Sequence, residues 1–298
     1  MKLFVYRHPS GVRNFGDELG ADVFPRLLPG VFNDDDRTLF LGIGSILFDF
    51  MPADATKIVL GAGYGGYTSL PSLDSSWRVY GVRGPLTCRA LGLDPALGIG
   101  DPAILLDDTP YRACPKRFRA SFMPHWQSME RGDWLRVSEM AGVNLIDPRA
   151  PVSEVLHAIA ASDVLLAEAM HGAIVADALR VPWIALRPLD PVHRFKWHDW
   201  AESLAVTLRP QRLAASTLGE RLDVTRIGRR APWRRIRRAL PGISRLAQTA
   251  FAESAAQSLG RALQSEPCLS HDAMLSKARM RINDAVDAFR RDFANART

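Results

Sequence analysis

The residues able to do chemistry cluster just after short apolar runs. Asn14, Gly16 and Asp17 lie in the loop after the first run, Arg83 follows Val79–Val82, and Asp101 follows Gly98–Gly100. His125 follows Phe122–Pro124, and Glu168 and His171 follow Val164–Ala167. In open parallel sheets, ligands bind beyond the carboxyl ends of the strands. These positions therefore describe an active site assembled from several strand ends. His171, beside Glu168 at a strand-to-helix switch, is suited to moving a proton near neutral pH, and His125, Glu168 and Asp17 are further acid–base candidates. A loop ring stacked on Trp126 is the other reading of His125. The fork of Arg83 matches the paired oxygens of a phosphate or carboxylate; a surface salt bridge is its alternative.

Three further segments carry polar potential. Asn14-Phe15-Gly16-Asp17 opens a helix whose free N–H groups favour an anion, or it is a plain cap. Gly42-Ile43-Gly44-Ser45 and the glycine-rich Gly61–Gly66 turn either face amides toward a ligand or are tight turns. Neither has the lysine of a phosphate loop or the acidic partner of a dinucleotide site. The run from His193 through Arg194, Lys196 and Trp197 to Trp200 mixes cations with aromatics. It suits sugar rings and acid groups, or it is a tryptophan-rich packing helix. His8, His157 and His271 read as surface residues. No pair has metal-ligand spacing, so neither a metal nor a bound cofactor is expected.

The elements that must position these groups are βα units. Apolar runs at Leu3–Tyr6, Thr38–Gly42, Lys57–Gly61 and Arg78–Val82 alternate with helix patterns such as Asp17–Leu27 and Gly84–Leu91. A second set comprises Ala120–Pro124, Val143–Ile146, Val164–Ala167 and Trp183–Leu186, beyond a proline-bearing seam at Leu106–Arg117. This predicts an α/β protein with domains at 1–115 and 116–215, followed by a basic, mainly helical tail at 216–298. In the tail, Ser270–Phe293 carries Met274, Ala278, Ile282, Val286 and Phe289 at helical spacing.

Composition narrows the class. With 47% apolar residues in 298 positions, a substantial core can be buried. The net charge of +6 is concentrated in residues 216–298, which hold 16 Lys/Arg against 8 Asp/Glu. A near-neutral body argues against a nucleic-acid site there. Arginines at 226, 229, 230, 234, 235, 237 and 238 interleave with Trp233, Ile236, Leu240 and Ile243. That pattern suits an interfacial helix at 226–246 on an anionic membrane surface, ahead of a solvated face and of nucleic acid. No apolar run reaches the ~18 residues of a membrane span, the N-terminus shows no leader pattern, and three separated cysteines suit a reducing compartment. A cytoplasmic protein, peripheral on the inner membrane face, is expected.

Taken in order, Asn14-Phe15-Gly16-Asp17, Gly42–Ser45, Val82–Thr87, Gly100–Ala103, Pro124-His125, Met170–Ile174 and Val181-Pro182 resemble the polysaccharide pyruvyltransferase family over roughly residues 1–205. Arg194–Trp197 with Asp199-Trp200 looks like the branch acting on exopolysaccharides of the succinoglycan and xanthan type. The resemblance implies two Rossmann-like domains facing a cleft, as in B-type glycosyltransferases. It also implies phosphoenolpyruvate as co-substrate, a lipid-linked sugar acceptor and a cyclic ketal product. Arg83 with Lys196 or Arg194 would hold the donor, and His171 would transfer the proton. One departure is Ala169, where many members carry Arg two positions before the histidine; Arg187 or Arg194 is the expected substitute. A nucleotide-sugar glycosyltransferase and a non-catalytic polysaccharide assembly factor are the competing readings.

Overall fold

The structure, a computed structural model, describes residues 1–108, 110–224 and 241–295. It contains two parallel four-stranded sheets. The first consists of β1 (Lys2–Leu3), β2 (Thr38–Leu41), β3 (Thr56–Leu60) and β4 (Trp77–Gly81), laid side by side in chain order. The second consists of β5 (Ser121–Met123), β6 (Asn144–Leu145), β7 (Leu165–Ala167) and β8 (Trp183–Ala185), in the order β6-β5-β7-β8. Each of the eight apolar runs becomes one of these strands. The largest trimming is at Leu3–Tyr6, an edge strand whose ladder stops after Phe4 N donates to the Phe40 carbonyl at 3.0 Å.

In the second sheet the chain goes from β5 out to β6, then back past β5 to β7. Winding therefore reverses between β5 and β7, and a crevice opens beyond their carboxyl ends at such a reversal. His125 and Glu168 stand there. The helices that close the fold around it are α1 (Phe15–Leu27), α2 (Pro85–Leu91), α3 (Trp126–Arg131), α4 (Trp134–Ala141), α5 (Val152–Ala160), α6 (Met170–Ala178) and α7 (Arg194–Ser203). Then come α8 (Leu218–Asp223), α9 (Pro241–Ala262) and α10 (Asp272–Asn295).

Alternation along the strands sorts side chains into layers. Phe40, Ile58 and Leu60 enter a central core with Phe24, Ile99, Ala173, Ile174, Trp197 and Phe289, whereas Leu39, Leu41 and Val59 face an outer core with Ile46, Phe48 and Val82. In the second sheet Leu165, Ala167 and Trp183 join the same central core, and Phe122, Leu166 and Ile184 pack with Trp134, Val137, Ala255 and Leu259. One apolar core thus runs from sheet to sheet. Helix α6 lies inside it and is buried along all of its nine residues, and apart from His171 and Asp177 its sequence is apolar. The seam around Leu106 is also internal: a 3-10 segment, Pro102–Asp108, buries Ala103, Ile104 and Leu106 between α1 and α6.

The expectation of a tail at 216–298 is corrected for the described residues. Helix α9 covers the outer face of the second sheet through Ala252, Ala255, Ala256 and Leu259. Helix α10 returns to the first sheet and buries Leu275, Ala278, Ile282, Ala285, Val286 and Phe289, whose spacing forms one apolar stripe. Its Phe289 ring meets Phe40 and Tyr80, each at 5.6 Å between centroids. Of the segment expected on a membrane, 226–240 lies outside the described residues, and of 241–246 only helical backbone is described. Among the described residues no helix is long and apolar enough to cross a membrane. Because Phe289 closes the first sheet, Phe289→Ala should cost about 3–5 kcal/mol, read as a lower urea midpoint at unchanged slope.

Candidate functional site

The first helix of the site starts where Asn14, in extended backbone, turns into α1. Its carbonyl accepts from Asp17 N and Glu18 N, both at 3.1 Å, and its side-chain amide donates to Asp17 Oδ2 at 2.7 Å. Asn14 therefore orients Asp17. The other Asp17 oxygen faces Gly44, whose φ of 117° requires glycine. Burial raises the Asp17 carboxyl above its usual range, opposed by the Asn14 hydrogen bond and by the nearby His171 and Lys196. A methyl group at Gly16 would overlap the His171 ring at Nδ1, so this glycine lets α1 and α6 bring Asp17 and His171 together.

His171 and Asp101 form the next layer. Their facing atoms, Nε2 and Oδ2, are 3.5 Å apart, and both are buried without a hydrogen-bond partner among the described residues. The other Asp101 oxygen caps the Pro102–Asp108 segment by accepting from Ala103 N at 3.0 Å. Asp101 is fully buried. Its reach is to His171, not to open space, so it acts as the partner of the imidazole rather than as the substrate contact expected of it.

Arg83 takes a different task from the one expected. It is fully buried and donates through Nε to Asp199 Oδ2 at 3.0 Å, through Nη1 to Ser45 Oγ at 2.8 Å and through Nη2 to the Tyr64 carbonyl at 2.8 Å. Asp199 also accepts from Thr87 N at 2.9 Å and Thr87 Oγ1 at 2.7 Å. The pair locks α7 to α2. A side chain at Gly63 would strike the guanidinium, and one at Gly84 would strike the Asp199 backbone. The glycines flanking this strand end thus make room for a buried ion pair. Ser45 is spent on the same joint.

Beyond β5 and β7, Glu168 accepts from His125 N at 2.9 Å, Ser128 Oγ at 3.0 Å and Leu189 N at 3.0 Å, and is 1% exposed. Burial raises its carboxyl above the usual range. It clamps three segments together through these hydrogen bonds. His125 contacts Trp126 with ring centroids 5.9 Å apart, but it stacks on His193 at 3.8 Å. His193 bonds to Tyr67 Oη through Nδ1 at 3.0 Å and to Gln127 Oε1 through Nε2 at 2.7 Å. Burial first, then Lys196 and Arg131, hold His193 down to about 2; burial, His193 and Lys196 keep His125 well below the ordinary value. Both rings are neutral at pH 7.

Lys196 completes the group. It is 9% exposed and lies 5.9 Å from the Tyr67 ring centroid, and no carboxylate pairs with its ammonium among the described residues. Arg187 and Arg194, the expected substitutes for the missing arginine at Ala169, are both exposed; Arg194 donates to the Pro188 carbonyl at 3.4 Å. Tyr67 and Gln127 escaped sequence reasoning, and His193 was named only as the start of the cation–aromatic run. The available signal was Tyr67 ending the glycine-rich turn.

Residues at the strand ends of both sheets thus gather near Lys196, which pairs with no carboxylate among the described residues. The chain belongs to the polysaccharide pyruvyl transferase family, whose model matches residues 14–190. The succinoglycan biosynthesis protein ExoV of Rhizobium meliloti (strain 1021) is 35% identical to it over 324 aligned positions, covering 98% of this chain and all of the relative. No solved structure matches it significantly.

Two stability outcomes follow. Asp199→Asn strands the Arg83 charge and should cost about 3–5 kcal/mol, whereas Lys196→Met should leave stability within about 1 kcal/mol of the parent or raise it; urea denaturation separates the two. Second, His193 binds no proton when folded but does so at about 6.5 when unfolded, so stability should be lost as pH falls below about 6.5. His193→Gln should flatten that loss in denaturation curves measured from pH 7 to pH 4.

Proposed function

We propose that the protein transfers the pyruvyl group of phosphoenolpyruvate onto two hydroxyls of one sugar in a lipid-linked exopolysaccharide repeat unit, forming a cyclic ketal. The observation that carries this reading is Lys196, a largely buried side chain whose ammonium pairs with no carboxylate within salt-bridge distance among the described residues and which lies near Asp17, His125 and His193. The donor bears a phosphate and a carboxylate, and a cation beside neutral imidazoles attracts such an anion. Lys196 stands in for the arginine absent at Ala169. Gly44 gives the donor close access to the wall that bears Asp17.

The chemistry distributes over the remaining groups. His171, with Nε2 turned to Asp101, delivers a proton to the methylene carbon of the donor and makes it a methyl group. The adjacent carbon becomes electron-poor. One sugar hydroxyl adds there and loses its proton to Asp17, whose proton affinity is raised by burial. The second hydroxyl then displaces phosphate and closes the ring. Of the two protons released, one replaces that given by His171 and the other leaves with phosphate.

The relative's part in succinoglycan biosynthesis supports a succinoglycan-type acceptor. The basic stretch at 226–246 would hold the enzyme at the inner membrane face where lipid-linked acceptors are built.

Phosphate release should require phosphoenolpyruvate and acceptor glycan together. Lys196→Ala should raise the donor KM by about 100-fold, the value of one buried charge contact of nearly 3 kcal/mol. His171→Ala should lower kcat by about 100-fold or more at near-constant donor KM. Release without acceptor, or nucleotide-sugar turnover in its place, would defeat the reading.

A further inference from the structure

Closing a ketal removes a proton from each of two hydroxyls, and Asp17 is placed to take one of them. A second device lies beside Lys196. We propose that Tyr67 accepts the proton of the other acceptor hydroxyl while its own phenolic proton passes to His193. This rests on the pyruvyl-transfer reading given above.

The geometry sets the direction of the chain. Gln127 Oε1 can only accept, so the 2.7 Å contact puts the His193 proton on Nε2. Nδ1 is then the acceptor, and the Tyr67 hydroxyl donates to it at 3.0 Å. The phenol oxygen keeps free lone pairs, and its residue is 38% exposed while His193 is 6% exposed. The chain therefore begins at solvent and ends in the interior, with a third group fixing the tautomer of the imidazole, as a nucleophile–base–orienter set requires. When a hydroxyl hydrogen-bonds to the Tyr67 oxygen, its proton transfers as the phenolic proton moves to Nδ1. Tyrosine ends neutral, His193 ends as imidazolium, the sugar oxygen carries the negative charge as it attacks, and the proton passes back through Tyr67 to the departing phosphate.

Two features tie this chain to the site. Gly65 has no room for a side chain, because a methyl there would overlap the Tyr67 ring and Ser45; Gly66, at φ 75°, reverses the backbone just before Tyr67. The glycine-rich turn thus serves to seat the phenol. Lys196, the donor cation, lies under the same ring at 5.9 Å. The groups facing His193 are His125 and Arg131 from α3, Lys196 from α7 and Tyr67 from the loop after β3. With the site empty, burial and the two cations oppose a charge on His193. An anionic donor on Lys196 offsets the share of that opposition that comes from the cations, so donor occupancy favours proton uptake by His193.

The test uses the full chain, phosphoenolpyruvate and the lipid-linked acceptor. Tyr67→Phe keeps the ring and should lower kcat by about 100-fold with the donor KM within about twofold. His193→Gln keeps the phenol but removes the proton sink. It should lower kcat comparably, and the double variant Tyr67→Phe/His193→Gln should be no slower than either single variant, a non-additivity that loss of structure alone would not produce. Calorimetric donor binding should survive in both single variants. Tyr67→Phe turning over within twofold of the parent, or multiplicative losses in the double variant, overturns the relay while leaving the donor reading intact. A parent enzyme that neither binds phosphoenolpyruvate nor releases phosphate overturns both.

Discussion

The buried ion pair of Arg83 and Asp199 is the constraint on which the arrangement of the site depends. Both side chains are fully excluded from water, where an uncompensated charge is prohibitively costly, so neither can move without the other. Arg83 ends the fourth strand and Asp199 sits in the helix that follows the eighth. The pair therefore fixes α7, and with it Lys196 one turn earlier, against the first sheet. Ser45, Tyr64 and Thr87 satisfy the remaining donors and acceptors around it. Replacing such a pair with apolar residues often stabilises a protein; here it also sets the register of a helix across the two halves.

Against that fixed frame the polar groups divide into two kinds. Arg83, Asp199, Glu168 and Asp101 are buried and saturated, or face a single partner, and they shape the site without opening onto it. Asp17, Tyr67, His171 and Lys196 keep an unused atom or charge. The division follows from hydrogen-bond accounting: Glu168 receives three donors from within the fold, whereas Asp17 is held by a single amide and keeps one oxygen without a protein donor among the described residues.

The same accounting explains the glycines. Gly16, Gly63, Gly65 and Gly84 each abut a side chain or backbone of the site so closely that a methyl group would displace it. They carry no chemistry themselves, but they let His171, Arg83, Tyr67 and Asp199 occupy their positions.

The sequence alone determined the eight strands and their neighbouring helices, because alternation, apolar runs and glycine stops are short-range signals read within a few residues. It also determined that Asp17, His125, Glu168 and His171 follow strand ends, since that needs only chain order. The apolar stripe of α10 was legible too, but not the sheet it would cover. What the tertiary structure decided was pairing. Arg83 meets Asp199 across 116 positions and Tyr67 meets His193 across 126. No local pattern distinguishes an arginine that will find a carboxylate from a lysine that will not. That outcome depends on which helix packs where, and packing is settled by the whole core at once.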